Sequence, residues 1–458
     1  MLRSAFWYAP LADAVSNIRQ REKIMAYPNL PDFKALTSAI ELHSQLKHEY
    51  GADAVERILA GAERDLKRAL GAIKRLPIDP DLAEKEPNAL RSIRALRPRG
   101  PRRLWTSFDA RRYPGKLEGA LLARFAGCTL GAPVEFWSID DMRELARENG
   151  QAFPPTEYWS RVPWPDRKRY GLSPRRRYTR DEMDGVPVDD DLAYTLLGLL
   201  IVEDYGPDFT VEDVGKAWLK YLPYACTAEK VALANLKDGV PARRAAAVDN
   251  PYCEWIGADI RADPWGYMAP GWPEKAARMA YHDAYISHRR QGIYGEMFFA
   301  AAVAAAFAVS HPLEAIEIAL TEVPRQCALA KAARWALNRA PKIRDYRHAR
   351  EAMDKKFAGM SGVHTINNAC LTIWGLSIGG TDVTRVTGET VAMGMDNDCT
   401  AATAGSIVGA VVGRRGVPKH WYRNFNNTVH SYLIGRRRFT ISGLTSRFAK
   451  QAKSVLGA

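Results

Sequence analysis

The 458-residue sequence lacks an apolar run long enough to cross a bilayer. Its most apolar stretch, Met297 to Ser310, is short and alanine-rich, and reads as a buried helix. It lacks a CxxC pair as well. The six cysteines stand apart at 128, 226, 253, 327, 370 and 399, which argues against a zinc ribbon or thioredoxin-type site and points to free thiols in a reducing compartment. The opening stretch MLRSAFWYAPLADAV has no unbroken apolar core of the signal-peptide kind, because Pro10 and Asp13 interrupt it. With neither address nor anchor in view, a cytoplasmic protein without membrane contact is the expectation. Alternating strand patterns are scarce and no fixed-period repeat is visible, so the fold class expected is mainly α.

What is present suits a globular enzyme. A chain with 47% hydrophobic and 26% charged residues can build a sizeable core, which excludes extensive disorder. The formal charge of +13 would attract phosphates, nucleotides, nucleic acid or an acidic partner, or it is merely a basic surface. Residues 32–75 have helical apolar spacing. From Pro77 that pattern breaks, with Pro80, Pro87 and the basic run ArgProArgGlyProArgArg at 97–103. This predicts a helical N-terminal region with a basic linker over 1–110 and a main domain over 111–458. In the main domain, helices are predicted over Leu192 to Asp204, Val211 to Leu222, Thr227 to Leu236, Pro273 to Ala284, Met297 to Val309, Pro312 to Glu322, Leu329 to Ala340 and Cys399 to Val412. Residues 150–187, rich in Pro, Trp, Tyr and Arg, read as a long loop of the kind that is functional or disordered.

Two acidic clusters carry the strongest chemical signal. Asp189, Asp190 and Asp191 precede an apolar helix. Capping accounts for one or two of them, but three adjacent carboxylates repel one another unless a cation lies between. Asp396 and Asp398 open a second helix, which has Gly405, Gly409 and Gly413 at four-residue spacing. That stripe lets another backbone approach and predicts a central helix. Two carboxylate clusters that each open a buried helix could meet and hold one or two hard divalent ions. Other segments are weaker. Gly127 to Glu135 reads as a glycine-punctuated turn ending in a lone carboxylate, or as a plain helix C-cap and loop. Ser287 to Glu296 places His288 and two arginines beside Gly292 and Tyr294, suited to phosphate or to a solvated loop. His364, Asn367 and Asn368 stand before an apolar helix, as hydrogen-bonding groups or as its cap.

Three of these segments together resemble the ADP-ribosylglycohydrolases, an all-helical family that includes dinitrogenase reductase-activating glycohydrolase. Gly119 to Glu135 is similar to the family's opening motif, Val188 to Asp191 to its threonine–aspartate–aspartate motif, and Asp396 to Gly413 to its aspartate–x–aspartate–threonine motif with the following small-residue helix. The likeness covers about 117 to 445. It implies an orthogonal multi-helical bundle and a centre of two magnesium ions, with manganese as the alternative. Asp189, Asp190, Asp191, Asp396 and Asp398 would be ligands, and Cys399 would stand where the family has a threonine ligand. Glu135, Asp190 and Asp396 would be the catalytic carboxylates. His288, Gly292, Tyr294, His364, Asn367 and Asn368 would contribute to the substrate cleft. Two further departures accompany the likeness. Val188 stands in the threonine position unless the register shifts so that Asp189 takes it, which keeps three oxygen ligands. Cys128 replaces the acidic residue of the opening motif.

The activity implied is cleavage of ADP-ribose from a modified acceptor. Hydrolysis of another N- or O-riboside or glycoside is the alternative, motivated by insertions at 150–187 and 250–272 carrying Trp159, Trp164, Trp255, Trp265 and Trp272. A third reading is non-catalytic nucleotide or nucleic-acid binding through the basic segments 97–112, 161–180 and 436–438.

Overall fold

The computed structural model describes residues 27, 28 and 30–457, so the opening stretch read against a signal peptide lies outside the described residues. Helices dominate, as expected. Among the described residues, strand is confined to two short antiparallel hairpins, Lys168–Arg169 with Ser173–Pro174 and Thr428–His430 with Arg438–Thr440. No helix among them is long and apolar enough to cross a membrane.

Two helices form the spine, Tyr113–Gly131 and Asn397–Val412, both buried over almost their whole length. Neither has a continuous polar face, as befits helices with neighbours on every side. They run antiparallel with their backbones in contact. A Cβ added to Gly409 would lie 2.3 Å from the Gly119 carbonyl oxygen, and one added to Gly131 would lie 2.5 Å from Cα of Asp398. Only a hydrogen fits at those separations. This corrects the reading of Gly127 to Glu135 as a glycine-punctuated turn. Gly127 and Gly131 are helical, and the chain turns only at the short 3₁₀ segment Ala132–Val134. The antiparallel pairing also brings the end of the first helix, with Glu135 just beyond it, beside the start of the second, where Asp396 and Asp398 stand.

Asp190–Tyr205, Gln291–Ala306, Thr365–Gly379 and Val383–Ala392 pack around this spine. Every residue of Gln291–Ala306 is buried, including the alanine-rich stretch. The predicted Pro312 to Glu322 helix ends earlier, at Ala319. Beyond it Glu322 turns inward, fully buried, and pairs with Arg97 and, at 2.9 Å, with Arg102.

That pairing bears on the N-terminal region. Its helices Phe33–Glu49 and Val55–Lys74 contain no buried residue. The proline- and arginine-rich segment that follows is instead strapped onto the body. Tyr294 donates its hydroxyl to the Pro87 carbonyl at 2.6 Å, Arg97 pairs with Glu274 at 3.0 Å, the Leu104 amide donates to Gly271 at 2.6 Å, and Ile93 is fully buried. Arg97 and Arg102 of the basic run therefore serve as structural ion-pair partners.

Candidate functional site

The acidic residues come together through three local devices. Asp189 is the N-cap of Asp190–Tyr205, with extended backbone and a side chain that accepts from the Asp191 amide at 3.2 Å. Asp396 precedes the spine helix Asn397–Val412, and Asp398 lies in its first turn. Glu135 follows the 3₁₀ turn that ends the other spine helix. The result is two adjoining groups. Ligand atoms of Glu135, Asp396 and Asp398 lie within 4.8 Å of one another, and so do those of Cys128, Asp189 and Asp191. A cleft of about 510 Å³ opens onto them, lined by Glu135, Asp190, Asp191 and Asp396 together with Glu229 and Trp255.

A residue that the sequence did not single out sits among these acids. Arg169, on the hairpin in the long loop, donates from Nη1 to Glu135 at 2.9 Å and from Nη2 to Asp189 at 3.0 Å and Asp398 at 3.2 Å. The next residue, Tyr170, donates its hydroxyl to Asp190 at 2.5 Å. The loop over 150–187 is thus ordered, and it reaches into the site.

The acids are electrostatically crowded. Burial, followed by repulsion from Asp398, pushes the Asp191 carboxyl well above the usual carboxylate range. Asp396 is raised by burial and then by Asp398, and Asp398 by burial and then by Glu135. Asp189 is pushed up to about 7 by burial, against the pull of Arg169. Glu135 is raised by burial, again opposed by Arg169. Such a set favours a bound cation, which would relieve both the desolvation and the repulsion. Oδ1 of Asp191 is buried and accepts no hydrogen bond, so one oxygen there has a lone pair to give. Carboxylate oxygens suit magnesium or manganese. Cys128 is the single thiol in the two groups, and burial and the neighbouring aspartates push it well above the usual thiol range. The donor set therefore fits a hard divalent ion.

The remaining candidates are placed differently from expectation. Cys399 joins neither group; Cys128 does. His288 is fully buried behind the cleft, its Nδ1 2.8 Å from the Ser287 hydroxyl, and burial holds it well below the usual histidine range. Gly292 is packed against His288 and the Cys253 carbonyl, and Tyr294 is tied to Pro87. His364 caps Thr365–Gly379 and lies in a separate pocket with Glu254 and Arg290. Asn367 and Asn368 give their amides to the Ser361 and Gly362 carbonyls at 2.8 Å, ordering the turn before that helix. None of these six lines the acidic cleft. Local partners take up part of their polar groups, while Nε2 of His288 and Oδ1 of Asn368 are buried without a hydrogen-bond partner.

Glu229 is a lining residue the sequence reading passed over. It is buried, and its carboxyl is pushed up to about 7 by burial against the pull of Arg261. The signal was present: Glu229 shares a buried helical face with Ala232, Leu233 and Leu236, where a carboxylate is costly without a purpose. Among the five tryptophans noted, Trp255 lines the cleft, while Trp159 and Trp265 are core residues.

No curated protein matches the sequence. The chain is similar to a solved structure described as an "ADP-ribosylglycohydrolase-related protein complex", at 18% identity over 76% of this chain and 99% of that one, with a TM-score of 0.49. The sequence profile of ADP-ribosylglycohydrolase matches residues 109–453, about three quarters of the chain and all of the carboxylates described above. The chain belongs to the ADP-ribosylglycohydrolase family.

Proposed function

We propose that this glycohydrolase depends on a divalent cation and releases ADP-ribose from a modified acceptor by attack of water on the ribosyl bond. One observation carries this reading. A single cleft combines the carboxylates Glu135, Asp190, Asp191 and Asp396 with exposed Arg167 and Lys168 and half-buried Arg175. Carboxylates that can hold cations, beside cations that can hold a diphosphate, match the two ends of a ribosyl-diphosphate substrate.

In this reading Asp189, Asp191, Asp396 and Asp398 would hold magnesium or manganese. When bound, the metal supplies Lewis-acid charge for orienting ribose hydroxyls. The protein's own residues do the rest. Water's oxygen joins the ribose carbon as the bond to the acceptor breaks, and one water proton passes to the departing acceptor through a carboxylate. We assign that transfer to Glu135, whose raised proton affinity suits it, with Asp190 and Asp396 lining the same cleft. Trp255 offers an indole face for the base or a sugar.

A second reading, hydrolysis of another N- or O-riboside on the same carboxylates, is favoured by the 168–174 hairpin, which brings Arg169 and Tyr170 into the cleft wall. Part of the basic surface that the nucleic-acid reading invokes is already paired. Arg97 and Arg102 are engaged with Glu322, Arg176 with Asp166 and Glu182, and Arg180 with Glu157 and Asp181.

The test is release of ADP-ribose from ADP-ribosyl-arginine, beside a panel of other ribosides, with magnesium and with chelator. Turnover of ADP-ribosyl-arginine that chelator abolishes is the expected result. Metal-dependent release only from another riboside would favour the second reading, and no metal-dependent release from any would overturn both.

A further inference from the structure

Arg169 has more contacts with the acidic groups than a loop arginine needs for folding. Its guanidinium spans both groups, taking one oxygen of Asp189 from the first and one each of Glu135 and Asp398 from the second. Nη1 also donates to the Ala132 carbonyl at 2.6 Å. The geometry is that of a planar fork fixed among carboxylates.

The hairpin pins the arginine from several directions. Arg169 pairs with Ser173 in the ladder, and the chain reverses at Tyr170 and Gly171, whose φ values are 52° and 68°. The Tyr170 and Tyr178 rings lie 5.4 and 5.7 Å from the guanidinium carbon. Tyr170 is held in turn by Asp190 and by stacking on Tyr224 with ring centroids 6.2 Å apart. Tyr178 donates its hydroxyl to the Val188 carbonyl, just before the aspartate cluster. The Arg169 side chain is only 15% exposed. It is a built part of the centre.

A divalent ion binds carboxylate oxygen at about 2.0–2.2 Å, closer than a guanidinium nitrogen can come. The oxygens that Arg169 occupies on Glu135, Asp189 and Asp398 cannot serve both cations at once without strong like-charge repulsion. Asp191 and Asp396 make no ion pair with Arg169, and Asp191 keeps its unpartnered oxygen. We infer that Arg169 is a resident cation standing in the place of one divalent ion, so that the native chain takes a single ion, on the side of Asp191 and Asp396. This rests on the metal-site reading above and refines it.

The test counts ions and does not depend on turnover. Mn²⁺ binding to the full chain is followed by equilibrium dialysis and by the electron paramagnetic resonance of free Mn²⁺, for the native protein, Arg169→Gln and Arg169→Lys. The expected counts are one ion for the native protein, two for Arg169→Gln, and one for Arg169→Lys, which keeps the charge. Two ions in the native protein, or one in a folded Arg169→Gln, would overturn the inference while leaving a metal centre intact. No binding by any of the three would remove the metal-site reading itself. If Arg169→Gln does not fold, the native count decides alone: one supports the inference and two contradict it.

Discussion

Asp396→Ala is expected to lower kcat/KM for metal-dependent ribosyl hydrolysis by about a thousandfold or more, equivalent to roughly 4 kcal/mol of transition-state stabilisation. Asp396 is buried, lines the cleft, and lies within 4.8 Å of Glu135 and Asp398. No neighbour can replace it. The adjacent Asn397 turns its amide away to the Val391 carbonyl at 3.1 Å and the Val134 carbonyl at 3.4 Å. Steady-state kinetics over a magnesium titration measure the effect. Stability should not fall with activity, because the substitution removes one of several buried, mutually repelling carboxylates. Thermal unfolding therefore separates a lost ligand from a lost fold, and a loss below tenfold in a folded variant would contradict the role given to Asp396.

Gly409→Val should be the costliest change in the spine. The new Cβ would lie 2.3 Å from the Gly119 carbonyl oxygen and 2.7 Å from its carbonyl carbon, both backbone atoms that no rotamer change can move. The two spine helices would have to separate, at a cost of about 3–5 kcal/mol. Gly115→Ala is the control. It lies in the other spine helix, Tyr113–Gly131, a Cβ there meets nothing within 4 Å, and it should be neutral or stabilise by up to about 1 kcal/mol. Chemical denaturation of both variants measures the contrast. Equal stability would mean that the spine is not packed backbone to backbone. Because Asp396 stands at the start of the helix that carries Gly409, Gly409→Val should also lower metal affinity.

Much of this was legible because it departs from local expectation. Three adjacent aspartates ahead of an apolar helix exceed what capping explains, and the stripe Gly405, Gly409, Gly413 made sense only if another backbone lay against it. The helices with clear apolar spacing, such as Val211–Tyr221 and Pro273–Ala284, are found within a residue of where that spacing put them. Arg169 was not legible. It stands in a loop crowded with arginines and without periodicity, and only the tertiary fold distinguishes it from Arg167 or Arg176. His288, Asn367 and Asn368 are placed apart from the acidic cleft for the opposite reason. Their residue types suit a substrate site, yet in three dimensions they stand outside the lining of the acidic cleft, with Nδ1 of His288 on a neighbouring hydroxyl and the two amide nitrogens on nearby carbonyls. Cys128 looked like a lost acidic residue, and the fold returns it to the site beside Asp189 and Asp191.

The central claim is that two aspartate clusters about two hundred residues apart in sequence form one cation centre. Crystals of the full chain soaked with Mn²⁺ and recorded near the manganese absorption edge test it most directly. The account predicts an anomalous peak within about 2.2 Å of carboxylate oxygens from both clusters, Asp191 from the first and Asp396 from the second. A peak ligated by one cluster alone, or an empty cleft at millimolar Mn²⁺, would contradict it.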